Sequence, residues 1–176
     1  MPSRPAIGRP QADEHSPYYG KYITLVPDGD LVSILRAQIG RTLDLLASVP
    51  ANRADYAYAP GKWTVKEVVG HLCDVERVMG YRALTFARQD ATPLPGFDEN
   101  AWVPAGNFGL RTLADLAEEF RAVRAATVQL VSHLEPEAFT RRGAANNNPV
   151  TVRALIYIIA GHELHHAELL RERYLK

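Results

Sequence analysis

Apolar residues recur at three- and four-residue steps in four stretches of the chain, the spacing of helices that each bury one face. The first stripe runs Leu31, Ile34, Leu35, Ile39, Leu43 and Leu46, beginning near Asp30 and stopping before Pro50. The second, Val68, Leu72, Val75, Met79 and Phe86, opens on Thr64 with Glu67 at capping-box spacing and cannot pass Pro93 and Pro95. The third, Leu113, Leu116, Phe120, Val123, Thr127 and Leu130, follows Thr112 and ends before Pro136. Thr151 is placed to cap the fourth, which carries Leu155, Ile159, His162, His166 and Leu169. Ala91 to Leu110 and Arg141 to Pro149, the latter with Asn146-Asn147-Asn148, are loops by composition. Tyr22 to Val26, stopped by Pro27, is the one strand-like run. The pattern predicts an all-α fold, a four-helix bundle whose long loops imply a crossover connection.

The fourth stripe contains histidines where leucines would serve for packing. Of the six histidines, His162 and His166 stand four residues apart, about 40° apart around a helix, and so share one face. Leu155, Ile159 and Leu169 lie on that face, so the pair points inward. His71 lies within about 60° of Val68, Val75 and Val78, which turns it inward on the second helix. Three inward imidazoles from two helices match the way bundles build metal sites. Without a shared partner they would leave ring nitrogens unsatisfied, at about 1–3 kcal/mol each. The competing reading is ordinary core histidines, each bonded to a carbonyl or carboxylate.

The neighbours are weaker candidates. His165 is rotated about 60° from His162 and 100° from His166, which suits an outer position or the surface. Asp74, about 60° from His71, could orient an imidazole or act as a base, and could equally be a solvated helix carboxylate. Cys73 is turned about 200° away and reads as a packing residue. Glu67 is accounted for by its capping box, Glu163 reads as a residue of the helix surface, and His15 and His133 have no partner at ligand spacing.

Composition narrows the classes further. The 176 residues, 47% hydrophobic and 23% charged, fit a single globular domain. Residues 1–17, with four prolines, read as an extension that is disordered or packed on the surface, and 18–176 as the domain. Twenty basic residues balance twenty acidic ones, so nothing supports nucleic acid or an anionic membrane as partner. The N-terminus lacks the apolar core of a secretory signal, which leads to the expectation of a cytoplasmic protein. One cysteine cannot form an internal disulfide.

Two segments resemble the DinB-like superfamily, in particular its metal-dependent hydrolases. One is Tyr58-Ala59-Pro60-Gly61-Lys62-Trp63-Thr64-Val65-Lys66-Glu67-Val68-Val69-Gly70-His71-Leu72-Cys73-Asp74; the other is Gly161-His162-Glu163-Leu164-His165-His166 with Glu172-Arg173-Tyr174 after it. The stretch Tyr22 to Leu31 resembles the family's entry to its first helix. The resemblance implies a four-helix bundle of unusual connectivity, a divalent metal on His71, His162 and His166, and a homodimer. It also implies a small-molecule substrate, with hydrolases and enzymes using low-molecular-weight thiols among the members. Three neutral imidazoles would leave an ion with an open position, as in catalytic sites, and suit zinc or nickel, with iron and manganese also open. The expected activity is metal-dependent hydrolysis or thiol transfer; the alternative is a noncatalytic bundle that binds a metal or small molecule.

Overall fold

The computed structural model describes residues 7–176. A helical turn, α1 (Gly20–Ile23), precedes α2 (Leu31–Ala47), whose cap Asp30 accepts from the Ser33 amide. The Thr64 capping box forms in full ahead of α3 (Val65–Ala87): the Thr64 amide donates to Glu67 and the Glu67 amide to the Thr64 hydroxyl. A short helix, α4 (Glu99–Ala105), follows, and then α5 (Leu113–Ser132), capped by Thr112. A hairpin of β1 (Arg142–Ala145) and β2 (Asn148–Thr151) leads into α6 (Val152–Leu169), with Thr151 as its cap. A single π turn, Leu170–Tyr174, ends the fold.

The four long helices are those the periodicity predicts, and the fold is an all-α bundle with long loops. Three local expectations fail. Tyr22 to Val26 is not a strand: Pro17 opens a helical turn that continues into α1, and Tyr22 and Ile23 bury their side chains against α6. The segment Ala91–Leu110 contains α4, capped by Asp98 and interrupted by Pro104, too short for a periodic signal. Arg141 to Pro149 is a hairpin, because Asn146 and Asn147 take φ of 50° and 60°, the left-handed pair that a two-residue turn between twisted strands requires.

Neighbouring helices in the bundle are not neighbours in sequence. α3 packs on α5 and α6, and α2 also packs on α5 and α6. The consecutive pairs α2/α3 and α5/α6 therefore sit across the diagonals, and their links must cross an end of the bundle. That is why those connections are long. At the axis, Arg124 of α5 donates two hydrogen bonds of 2.8 Å to Glu76 of α3 and one of 2.6 Å to Glu163 of α6. It also reaches the Leu35 carbonyl of α2, and Thr42 of α2 donates to Glu163 at 2.6 Å. This buried network ties all four helices.

Of the N-terminal extension, residues 1–6 lie outside the described residues. Ile7 is buried, and Arg9 donates to the carbonyls of Ile23 and Val26 at 2.7 Å. Glu14 is buried on α6, accepting from Thr151 at 2.7 Å and from Arg153. No helix among the described residues is long and apolar enough to cross a membrane.

Candidate metal centre

Gly70-His71 and Gly161-His162 occupy facing positions of α3 and α6, and each glycine admits a neighbour beside its histidine. A side chain at Gly161 would come within 2.0 Å of the Tyr22 carbonyl oxygen, and one at Gly70 within 2.4 Å of the Phe108 ring. The close approach at Gly161 brings α1 onto α6 and lays the Tyr22 ring edge-on against His162, 5.3 Å between centroids. On the other side the Trp63 ring lies 4.7 Å from His71. Tyr174 holds Trp63 in place by donating to its carbonyl at 2.7 Å.

Between these walls His71, His162 and His166 converge. One ring nitrogen of each lies within 4.8 Å of the others, and all three residues are buried. The Nε2 of His162 is 3.1 Å from that of His71 and 3.2 Å from that of His166. An imidazole nitrogen offers in its ring plane either one hydrogen or one lone pair. His162 Nε2 therefore cannot make a good hydrogen bond to both neighbours. Nitrogens on a single tetrahedral zinc, at about 2.0–2.1 Å from the metal, would stand about 3.3–3.4 Å apart. The spacings found are close to that, so the donor set fits a divalent cation better than it fits itself. His166 Nδ1, buried with no partner, adds a second unsatisfied nitrogen.

Burial also prepares the donors. It lowers the pKa of His71 to about 4, and it holds His162 and His166 well below the usual histidine value, with their neighbours' charge adding to the effect. The three rings are neutral at pH 7, the form that ligates metals.

His71 and His162 open onto a cavity of about 330 Å³, while His166 lies behind them. Val75, Met79, Phe97 and Ile158 supply apolar wall, Tyr18, Tyr19 and Tyr22 line one side, and the hairpin residues Asn146 and Asn148 the other. Leu94 pairs with the hairpin edge through Ala144 and Asn146, which ties the segment carrying Gly96 and Phe97 to the hairpin beside the cavity.

The remaining candidates take other places. His165, half-buried, stacks edge-on to Tyr22 and His166 and is outside the three-nitrogen group. Asp74 lines a separate groove with Arg77, Tyr81 and Trp102, where burial raises its pKa. Cys73 is buried in the core beside Phe120, and its thiol is pushed up to about 12. His15 and His133 bond backbone carbonyls of Ser16 and Gln129. Glu163 corrects the sequence reading: it is 1% exposed, held in the axial network by Arg124 and Thr42. The assignment to the helix surface failed because α6 is buried almost all round, so the direction opposite its histidines is also interior. Tyr22 and the Gly-His pairs were missed as well, although the repeated dipeptide was a visible signal.

No curated protein matches the sequence. Among solved structures the fold is similar to that of YfiT from Bacillus subtilis, described as a probable metal-dependent hydrolase with an unusual four-helix bundle topology. That likeness has 19% identity and a TM-score of 0.68, over 93% of this chain and 92% of that one. The mycothiol-dependent maleylpyruvate isomerase is similar at 11% identity and a TM-score of 0.67, over 83% of this chain but 61% of its own length. A DinB-like protein of Bacillus subtilis, YjoA, is similar at 20% identity and a TM-score of 0.58, over 81% of this chain and 87% of that one. The family model of the DinB superfamily matches residues 34–170, most of the bundle and all three converging histidines, and the chain belongs to that superfamily.

Proposed function

We propose that His71, His162 and His166 hold one divalent cation, zinc or nickel, and that the chain is a metal-dependent enzyme acting on a small molecule bound in the adjoining cavity. The observation that carries this reading is the convergence of three buried, neutral imidazole nitrogens that cannot all satisfy one another. The cation would supply Lewis acidity, which makes water or a thiol nucleophilic near neutral pH. The chain's own residues provide the rest. His71 and His162 face the cavity, so a ligand bound there would meet the cation from that side. Tyr22 and Trp63 pack on those rings and fix their orientation.

Hydrolysis and transfer to or from a low-molecular-weight thiol are the two reactions this arrangement serves. One structural relative is described as a probable metal-dependent hydrolase and another as a mycothiol-dependent isomerase. Metal analysis of tag-free protein should find about one divalent ion per chain, lost in His71→Ala, His162→Ala and His166→Ala. Equal metal in wild type and all three variants overturns the site. With cobalt in place, a sulfur charge-transfer band on adding a thiol selects the thiol reaction, and metal-dependent ester hydrolysis without a band selects water. Neither response indicates a noncatalytic binding bundle. The reading also includes a homodimer, for which light scattering should give twice the monomer's 19.5 kDa.

A further inference from the structure

Arg82 is 2% exposed and lines the same cavity as His71 and His162. Arginine keeps its charge when buried, so such a residue is normally found against a carboxylate. Arg124 illustrates this on the neighbouring helix. Arg82 makes no ion pair among the described residues. One terminal nitrogen donates to the Pro95 carbonyl at 2.7 Å, the other lies 3.6 Å from the Met79 sulfur, and Nε is buried without a partner. Phe97 lies beside the guanidinium at 5.9 Å, and the Tyr19 phenol is near enough for that charge, and for a hydrogen bond from Arg82, to oppose the rise burial gives it. Glu99, the one carboxylate lining the cavity, is partly exposed and not paired with Arg82.

The position along α3 is also informative. Arg82 is eleven residues after His71, about 20° from it around the helix and about 16 Å along the axis. Val75 and Met79 lie between them on the same face and form the cavity floor. The guanidinium leans back toward Met79, that is, toward the histidines. The cavity thus has a cation at one end, the histidine cluster at the other, and apolar wall between.

We infer that Arg82 is a carboxylate-binding residue and that the molecule bound here is an organic acid, its carboxylate on Arg82 and its reactive group at the histidines. This deepens the proposed function and rests on it only in placing the chemistry at the histidines. A guanidinium that no carboxylate neutralises suits an incoming one, which it can hold with charge-assisted hydrogen bonds. The carboxylate could belong to a thiol co-substrate or to the molecule it attacks.

The test is calorimetric, on metal-free and on zinc-loaded protein, with two acid/amide pairs: 3-mercaptopropionate against 3-mercaptopropionamide, and succinate against succinamide. At least one acid should bind the metal-free protein tenfold or more tightly than its amide, and the pair that shows this identifies the source of the carboxylate. Arg82→Gln should remove the preference, Arg82→Lys should retain part of it, and both should keep wild-type zinc content. Equal binding of acid and amide by the metal-free wild type overturns the proposal without needing any variant to fold. So does a preference that survives in Arg82→Gln or appears only with zinc present, since the acid is then bound elsewhere. An intact preference in protein that takes up no metal would support Arg82 while rejecting the metal centre.

Discussion

The bundle carries two buried polar clusters on the same two helices, and they are built on opposite terms. Glu76 and Glu163 belong to α3 and α6, as His71 and His162 do, and Glu163 directly follows His162 in the chain. The carboxylates meet Arg124, which satisfies both, and Thr42 completes the set. The carboxylates outweigh the cost of burying the guanidinium and hold the Arg124 pKa above its ordinary value. Burial pulls Glu163 the other way, above the usual carboxylate range. The short, charge-matched hydrogen bonds decide for the ionised pair. The histidine cluster instead brings together three groups of one kind, none of which can satisfy the other two. A closed network fixes how four helices meet; an open one is complete only with something from outside. This contrast, more than burial, separates the candidate centre from the scaffold.

The largest effect should come from opening the closed cluster. Arg124→Met leaves two carboxylates buried without a counter-charge and should destabilise the fold by about 3–5 kcal/mol, read as a fall in the urea midpoint. Replacing Arg124, Glu76 and Glu163 together by apolar residues should recover most of that loss, since no charge is then stranded. A loss below about 1 kcal/mol for Arg124→Met would mean the network is not what holds the axis.

The same operation on the open cluster should act differently. His162→Ala should weaken metal binding by more than about 100-fold, beyond what loss of a residue behind a ligand costs. The metal-free protein should lose less stability than Arg124→Met does, because the residue removed is uncharged and gives up at most one hydrogen bond besides its packing. Equilibrium dialysis with zinc and urea titration of the apo-protein give the two numbers. Large destabilisation of apo His162→Ala would make the cluster structural and erase the contrast.

The sequence was more informative about the open cluster than the closed one, for a physical reason. A histidine in an apolar stripe breaks a pattern and is noticed; helical angles then suffice to bring His71, His162 and His166 to one side. Arg124 and Glu163 break no pattern when each is read alone, because charged residues are expected beside a stripe. Only their meeting across a diagonal bundle makes them interior, and that requires knowing which helices are neighbours. Arg82 was missed in the same way: it shares the face of His71, but a charge near a helix end reads as solvated. Caps were legible because their bonds lie within three residues. The hairpin and α4 were not, since the first depends on left-handed backbone at Asn146 and Asn147 and the second is too short to show a period.

A third cluster at the periphery tests the intermediate case, a charge paired at the bundle's edge. Arg153, with Thr151 assisting against burial, holds the Glu14 carboxyl at about 2, below its ordinary 4.5. The folded pKa is depressed, so the stabilisation is fully present above pH 4.5 and is lost as pH falls toward 2. Glu14→Gln should be less stable than wild type at pH 7 by on the order of 2–3 kcal/mol, with the gap closing through that window. Urea midpoints of both proteins between pH 7 and pH 2 read this directly, and a gap independent of pH would show that Glu14 contributes by packing.

The smallest effect is expected at the edge of the open cluster, where position and not residue type decides. His165 touches His166 and Tyr22 through its ring, but no nitrogen of it joins the three that converge. Its pKa is lowered by burial and by Lys21, so it too is neutral near pH 7 and chemically fit to ligate. What excludes it is rotation, about 100° from the neighbouring His166 on the same helix. His165→Ala should therefore change zinc affinity by less than about tenfold, the lower end of the effect of residues that only support ligands. His166→Ala, one residue on, should behave like His162→Ala. Measured side by side by dialysis, the two variants separate ligation from mere proximity. If His165→Ala lost the metal and His166→Ala kept it, the open cluster would be turned by one residue and its third donor misassigned.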